Sequence, residues 1–583
     1  MAEYTSPGVY IEENESGPVP MEGVGTSTAG FIGLAVKGPV GGVPQLVTSV
    51  ADFQRSYGSY LSKNEFGDYR FLAYAVEHFF INGGSRAYIS RVAPPDAQAA
   101  ESTHMGPLKI TASSVGAWGD KLKVVMSPAS KAKTQIIVLL SPTQIKVKSA
   151  VRFHEGDVIV LTDGESKTYN RIVKVKENVL DVLNPFEASV VDAELEPSKI
   201  LSTCEFNLDI FCDEVAENYS NISLNSNTPE YIGKKLARSV LVSITLEGIP
   251  KDATPPYVTF AGKDAATAKD ITISFTGGSD GTMNSITADV YIGEDNGPGK
   301  RTGIQAFHDN TIVSIMAVPG VTDPNVQLAL VAHCENLASR FAVLDMPPEV
   351  VKTEELLRHR ELFDTQYAAL YHPWLQVFDP RDKNSIFVPP SGSVLGIYAR
   401  SDTTRGVHKA PANEVVRACI GLSVLYNKGE QDILNPKGVN LIRVIPGSGI
   451  NVWGARTASS DALWKYINVR RLFIFLEESI KANTNWVVFE PNDEILWARV
   501  ERTISTFLAT IWRKGALAGN SEGEAFYVHI GRSTMSQDDI DNGRLICVIG
   551  IAPVKPAEFV IFRLTQKTVY TPKGEVKNPI GKP

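Results

Sequence analysis

The sequence predicts a multidomain chain of mixed α+β and α/β class: an α/β core, a β-rich domain inserted into it, and an extended strand arm at each end. Three observations lead there. With 583 residues the chain is too long for one ordinary hydrophobic core. Its texture changes twice, at about residues 106 and 299, from alternating strands and helices to closely spaced strands and back. The first and last segments each read as a strand with no partner at hairpin distance, and an unpaired strand leaves a row of backbone donors and acceptors unsatisfied.

Residues 1–22 form the first arm. In "AEYTSPGVYIEENESGP", Tyr4, Val9, Tyr10 and Ile11 carry the apolar character, Pro7 and Gly8 open the strand, and Asn14, Ser16, Gly17 and Pro18 close it. Residues 23–105 begin the α/β core with the strand "TAGFIGLAVKGPV", the helix "FLAYAVEHFFINGG" and the strand "SRAYISRV"; Leu72, Ala75, Val76 and Phe79 recur at helical spacing. Residues 106–299 hold "TQIIVLL", "TQIKVKS", "GDVIVLTDG", "NRIVKVKENVLDVL" and "DITISFTGG", a strand-and-turn pattern of one or two small β domains. Residues 300–385 resume the core with "TIVSIMAVPG", the helices "NVQLALVAHCENLAS" and "TEELLRHRELFD", and the strands "RFAVLDMP" and "YAALYHPWLQV".

Residues 386–557 are strand, turn and helix again. Asn492 and Asp493 signal the start of a helix over about 493–514. At 100° per residue, Leu496, Val500, Ile504, Phe507, Leu508 and Ile511 share one face, and Arg499, Arg502 and Arg513 lie opposite, with Thr506 among them. The strands "AFYVHI" and "GRLICVIGIAP" follow. Residues 558–583 are the second arm, where Val560, Phe562 and Leu564 alternate with Ile561, Arg563 and Thr565.

Composition narrows the function classes. Apolar residues are 43% and charged residues 21%, as in soluble globular proteins. A net charge of −8 argues against a general nucleic-acid binder. No apolar run approaches the roughly 18–20 residues of a membrane span, and no basic-then-apolar leader opens the sequence. The five cysteines form no CxxC pair and read as reduced thiols of a cytoplasmically made protein.

Chemistry-bearing motifs fail one by one. "GEDNGPGKRT" has Glu294 where a phosphate loop needs glycine and Arg301 where it needs a hydroxyl. "FTGGSDGT" lacks GxGxxG spacing, no GxSxG elbow surrounds a serine, and the nine histidines contain no HExxH. His78 and Cys334 sit on apolar helical patterns and read as packing residues. No catalytic, cofactor-binding or metal-binding residue is assigned, and an enzyme is not expected.

The last third carries a resemblance. "YHPWLQVFDP", "VPPSGSVLGIYARSDTTRGVHKAPAN", "GVNLIRVIPGSGINVWGARTAS", "NVRRLFIFLEESI", "NWVVFEPNDEILW" and "GIAPVKPAEFVIF" resemble, in the same order, the contractile tail sheath proteins of phages and bacterial contractile injection systems. "SPGVYIEE", "GFIGLAVKGPV" and "GAWGDKLKV" resemble that family's opening and the start of its inserted domain.

The resemblance implies a non-enzymatic structural subunit without cofactor. It implies six-fold rings of this chain stacked helically around a rigid tube in a metastable extended state. Contraction then drives the tube through a target envelope. The implied partners are further copies of the chain, the tube protein, and baseplate and tail terminator proteins, without direct nucleic-acid contact or membrane insertion. The implied location is the tail of a virion or of a host-encoded contractile particle assembled in a bacterial cytoplasm.

On that reading both arms add as strands to neighbouring copies, the insert lies on the outer surface, and Arg499, Arg502 and Arg513 grip an acidic tube. Each has an alternative: arms folded back on their own subunit, an insert that lines the lumen, and a merely solvated arginine face. Trp374 and Trp453 read as core anchors, Gly449 and Gly454 as turn residues, and Arg456, Arg470 and Arg471 as ion-pair partners within or between subunits. Another structural tail or baseplate component, or a cytoplasmic enzyme, is the alternative function. A pocket with perturbed titratable groups would mark the enzyme.

Overall fold

The computed structural model describes residues 21–102, 108–163, 166–186, 199–213, 215–246, 251–257 and 270–561. At its centre lies a nine-stranded sheet. Its strands are β1 (Ala29–Leu34), β2 (Gln45–Val47), β3 (Ala87–Val92), β4 (Ile315–Ala317), β5 (Phe341–Asp345), β6 (Ala368–His372), β7 (Glu414–Val415), β8 (Val439–Ile445) and β9 (Gly449–Val452). Their order is β2-β3-β1-β4-β5-β6-β8-β9-β7. The run from β3 to β8 is parallel throughout, with Ala29 opposite both Ala87 and Ile315, and Leu370 opposite Val439. The sheet therefore takes strands from both sides of residues 106–299 and continues past residue 385.

Parallel strands need cover on both faces, so β1, β4, β5 and β6 are buried at every position. Alternation divides their side chains. Phe31, Phe341, Val343 and Tyr371 enter one apolar layer, and Ile32, Met316, Leu344 and Leu370 the other. Helices α1 (Val50–Tyr57), α2 (Leu72–Ile81) and α4 (Ser391–Arg405) cover the first face. Helix α3 (Pro324–Leu337), through Val326, Leu330, Val331 and Cys334, covers the second.

α4 lies almost on the backbone of α2. A Cβ at position 392 would stand 2.3 Å from the Ala75 carbonyl oxygen, and one at 396 would stand 2.4 Å from that of Phe79. The two glycines are four residues apart and so share one helix face. The start of α4 is held by Asp345, at the end of β5. Its carboxylate accepts hydrogen bonds from the Ser391 amide at 2.9 Å, the Ser391 hydroxyl at 2.7 Å and the Gly320 amide at 3.0 Å.

One sequence expectation changes here, and one stretch left open is settled. "YAALYHPWLQV" is two strands in two sheets. β6 ends at His372, and Leu375–Asp379 joins a three-stranded sheet with Asn384–Val388 and Gly421–Leu422. The buried Trp374 separates them, its indole N–H donating to the Met346 carbonyl at 2.8 Å. "VLGIYARSD", grouped with strand-turn-helix material, lies wholly inside α4.

Between β3 and β4 the chain forms a seven-stranded sheet, built from strands between Glu101 and Thr276, and a six-stranded closed barrel, built from strands between Lys133 and Thr203. At their junction the Lys131 ammonium lies 2.8 Å from Asp157 and 3.5 Å from Glu205, all three side chains buried. Asn225 and Thr203 donate to the two carboxylates, so the buried charges are both paired and hydrogen-bonded.

Beyond residue 458, α5 (Ile467–Asn483), α6 (Glu494–Arg513) and a two-stranded antiparallel sheet of β10 (Phe526–Ile530) and β11 (Cys547–Ile551) build a separate apolar cluster.

Burial pushes the Asp345 carboxyl up to about 6, against the pull of its hydrogen bonds from Gly320 and Ser391. The folded state thus binds this proton more tightly than the unfolded chain, whose carboxyl titrates near 3.8. The stabilisation from protonation is complete below the unfolded value and is lost as pH rises through about 6. Asp345→Asn, which cannot ionise, is expected to flatten the fall of stability between pH 4 and 6, read as urea midpoints across that range.

Candidate assembly interface

Helix α5 organises both ends of the described chain. Near its C-terminal end, Asn483 donates to the Glu22 carbonyl at 2.9 Å, and the Ser479 hydroxyl accepts from the Val24 amide at 3.1 Å. In its first turns, Arg471 forks onto Asp402 at 3.0 and 2.6 Å and donates to the Thr26 carbonyl at 2.9 Å, while the Thr26 hydroxyl donates to Asp402 at 2.6 Å. Near its N-terminus, Asn468 donates to the carbonyls of His408 at 2.7 Å and Val554 at 3.3 Å.

Just beyond, Glu558 accepts two hydrogen bonds from Arg456, at 2.8 and 2.6 Å, and one from the Tyr466 hydroxyl at 3.1 Å. Burial works against the Glu558 carboxylate, but the hydrogen bonds and charge of Arg456 outweigh it and hold its pKa below the usual range. The described chain is thus fixed at residues 22–26 and again at 554–558, along one helix.

Of the sequence-predicted arm residues, Tyr4, Val9, Tyr10, Ile11, Phe562 and Leu564 lie outside the described residues. Val560 lies within them, exposed and in no strand, as do Phe559 and Ile561. Arg456, Arg470 and Arg471 all find partners inside the chain, Arg470 by donating to Glu477 at 2.9 and 3.0 Å and stacking over Trp464. Trp374 is a core residue, whereas Trp453 is half-buried. Gly449 has the left-handed φ of 85° that its turn requires. Gly454 does not; it is needed because a Cβ there would meet the Asn440 side-chain oxygen at 2.8 Å.

The β10–β11 sheet pairs Phe526 with Ile551 and Ile530 with Cys547. Phe526 and Val528 pack inward toward α6, while Tyr527, His529 and Val548 face out. Among the described residues no third strand joins this sheet, so both outer edges are open. Sequence reading found the two strands but not their isolation.

The same reading placed α6 correctly. The Asp493 carboxylate caps it by accepting from the amides of Ile495 and Leu496, and all six expected apolar positions are buried. Arg499, Arg502 and Arg513 are exposed. Arg499 lies over the Trp486 ring at 4.3 Å, and Arg513 lies 3.3 Å from Glu522. Arg502 makes no ion pair among the described residues. Asp402 and Glu558 were missed; the available signal was a charge inside an otherwise apolar stretch, as in "IYARSD" and "KPAEFVIF", which demands a partner.

Elsewhere burial holds the His78 and His372 imidazoles neutral, lowering the pKa of each to about 4. Among the described residues no cluster of three His, Cys, Asp or Glu could hold a metal, and no helix is long and apolar enough to cross a membrane.

Two family models match consecutive stretches: "Phage tail sheath protein central domain" over residues 299–458 and "Phage tail sheath C-terminal domain" over residues 459–567. Residues 299–567 of the chain belong to the phage tail sheath family. A prophage major tail sheath protein of Pseudomonas aeruginosa is 25% identical over 291 residues, 48% of this chain and 72% of the relative. The tail sheath protein of Escherichia phage P2 is 24% identical over 279 residues, 46% of this chain and 67% of the relative.

The fold likeness extends over nearly the whole sheath chain. A sheath complex of an extracellular contractile injection system, in its contracted state, aligns over 97% of this chain and 99% of its own at 20% identity, with a TM-score of 0.52. A sheath tail protein of Desulfitobacterium hafniense aligns over 94% and 100% at 12% identity, with a TM-score of 0.50. The family models start at residue 299, so the sheet-and-barrel insert of this sheath protein lies outside them.

Glu558→Gln removes the charge that Arg456 and Lys465 face. Both side chains are largely buried, and hydrogen bonds to a charged group contribute about 1.5–3 kcal/mol, so the melting temperature is expected to fall. Amide hydrogen exchange over residues 553–558 is expected to accelerate.

Proposed function

We propose that this chain polymerises into the sheath of a contractile tail, as stacked six-fold rings wound helically around a rigid tube. The extended sheath stores energy in its contacts and contracts to drive the tube through a cell envelope. No enzymatic step and no cofactor enters this cycle. Baseplate and terminator proteins bound the sheath, and the particle is a virion tail or a host-encoded injection device.

One observation carries the reading: a two-stranded sheet with both edges open, beside a helix that anchors the chain where each terminal arm departs. Residues 3–12 of one copy and residues 558–568 of another supply strands to that sheet in a third. Each added main-chain hydrogen bond contributes roughly 0.5–1.5 kcal/mol net, so a junction of several is strong enough to survive a rigid-body rearrangement of the domains it joins. The chain divides for this task into arms at 1–22 and 558–583, an α/β core at 23–105 and 300–385, an outward-facing insert at 106–299, and an assembly core at 386–557.

Deleting residues 1–15, or ending the chain before Glu558, is expected to leave a folded monomer that forms no sheath. Normal polymers from either truncation, seen by electron microscopy, would refute strand exchange. The same images of the full chain with its tube should show two helical states, with the insert on the outside.

Arg499 and Arg502 face the tube on this reading, where screened ion pairs of about 0–1 kcal/mol each can hold and release an acidic surface. Reversing both to Glu is expected to abolish assembly on the tube without changing the monomer's circular dichroism. Wild-type assembly by that variant would remove the arginine grip.

A further inference from the structure

The turn between α5 and α6 holds a bulky residue in a strained backbone conformation. Phe489 has a φ of 71°, a left-handed backbone that is strained for a bulky side chain. Its ring is completely exposed, and Val488 and Ile495 beside it are exposed too. An aromatic held outward at a conformational cost is a knob without a socket in its own chain. Glu490 and Glu494 flank it, exposed and without an ion-pair partner among the described residues.

The complementary surface lies elsewhere on the same molecule. A groove of about 870 Å³ runs between the end of α4, the helix Lys428–Leu434 and residues 554–560, with the half-buried Trp453 in its wall. Arg405, Lys428 and Lys555 line it, all exposed and without an ion-pair partner among the described residues. Groove and knob sit at opposite ends of α5. Asn468, in its first turn, binds His408 and Val554 of the groove wall, and the knob follows its last turn. The 17 residues of α5 separate the two by about 25 Å.

We infer that the Phe489 knob of one copy seats in the Trp453 groove of the next. Apolar side chains fill the groove, and Glu490 and Glu494 meet Arg405, Lys428 and Lys555 at its rim. A contact between unlike patches at opposite ends of one helix is heterologous: it builds rings or helices rather than closed pairs. It is a side-chain contact that needs no strand from either arm, and it rests on the sheath reading above.

The test uses two full-length variants, Glu490→Cys and Lys428→Cys, mixed under assembly conditions and oxidised. A disulfide-linked dimer is expected in the mixed polymer and not in either variant alone, whose native cysteines provide the background. Phe489→Asp should lower polymer yield about tenfold or more, as loss of a central aromatic anchor does. Phe489→Gly, which relieves the strained backbone, should melt at or above the wild-type temperature and still polymerise poorly.

No dimer above background, or wild-type polymer yield from Phe489→Asp, overturns the inference and leaves the sheath reading standing. Normal polymers from Phe489→Asp that no longer hold the tube would assign the knob to the tube instead, which also overturns it. Failure of the wild-type chain to polymerise would overturn both.

Discussion

The approach of α4 to α2 sets the thickness of the layer over one face of the parallel sheet. Without Cβ atoms at 392 and 396 the two helix backbones come together, and Phe79, Val394 and Tyr398 reach the strands in one packed layer. Any side chain at either position would push α4 outward and open voids along β5 and β6, where close packing leaves no slack. Asp345 fixes the same helix axially by capping its start. The other end of α4 carries Asp402, which receives Arg471 of α5 and Thr26 of the N-terminal approach. The sheet, the helices and the anchoring of the chain end are therefore one mechanical series.

That series explains how the charges are distributed. Arginines inside the core of the last third are satisfied within the chain: Arg471 by Asp402, Arg470 by Glu477, and Arg456 by Glu558. Buried charges must be paired or hydrogen-bonded where they stand, because leaving one alone would cost several kcal/mol. Among the described residues the exposed charges without an ion pair include Arg502 on α6, Glu490 and Glu494 on the turn before it, and Arg405, Lys428 and Lys555 of the groove, while the buried Arg91 and Arg340 donate to backbone carbonyls instead. The unsatisfied backbone is placed likewise, at the outer edges of β10 and β11. A subunit that works by association needs rigid paired interiors and open surfaces, and this chain keeps them apart.

The six-residue apolar face of α6 was legible in the sequence because 3.6-residue periodicity and an Asp493 cap are local signals. The strands flanking residues 106–299 were legible for the same reason. "YAALYHPWLQV" was not, because apolar composition says nothing of which sheet a strand joins, and that is settled by Trp374 reaching Met346. Gly454 shows a second limit. Glycine in a sequence announces freedom without saying whether a turn or a close neighbour requires it, and here the neighbour is Asn440.

The sequence by itself determined the element types, the interruption of an α/β core by a β-rich insert, and the sheath resemblance, since these reside in periodicity, turn chemistry and motif order along the chain. Tertiary structure alone decided which arginine meets which carboxylate, that β4 returns beside β1 after more than two hundred residues, and that β10 and β11 keep two open edges. It also decided that α5 separates a basic groove from an acidic aromatic knob. Those facts depend on distances between residues remote in sequence, and no local pattern encodes them.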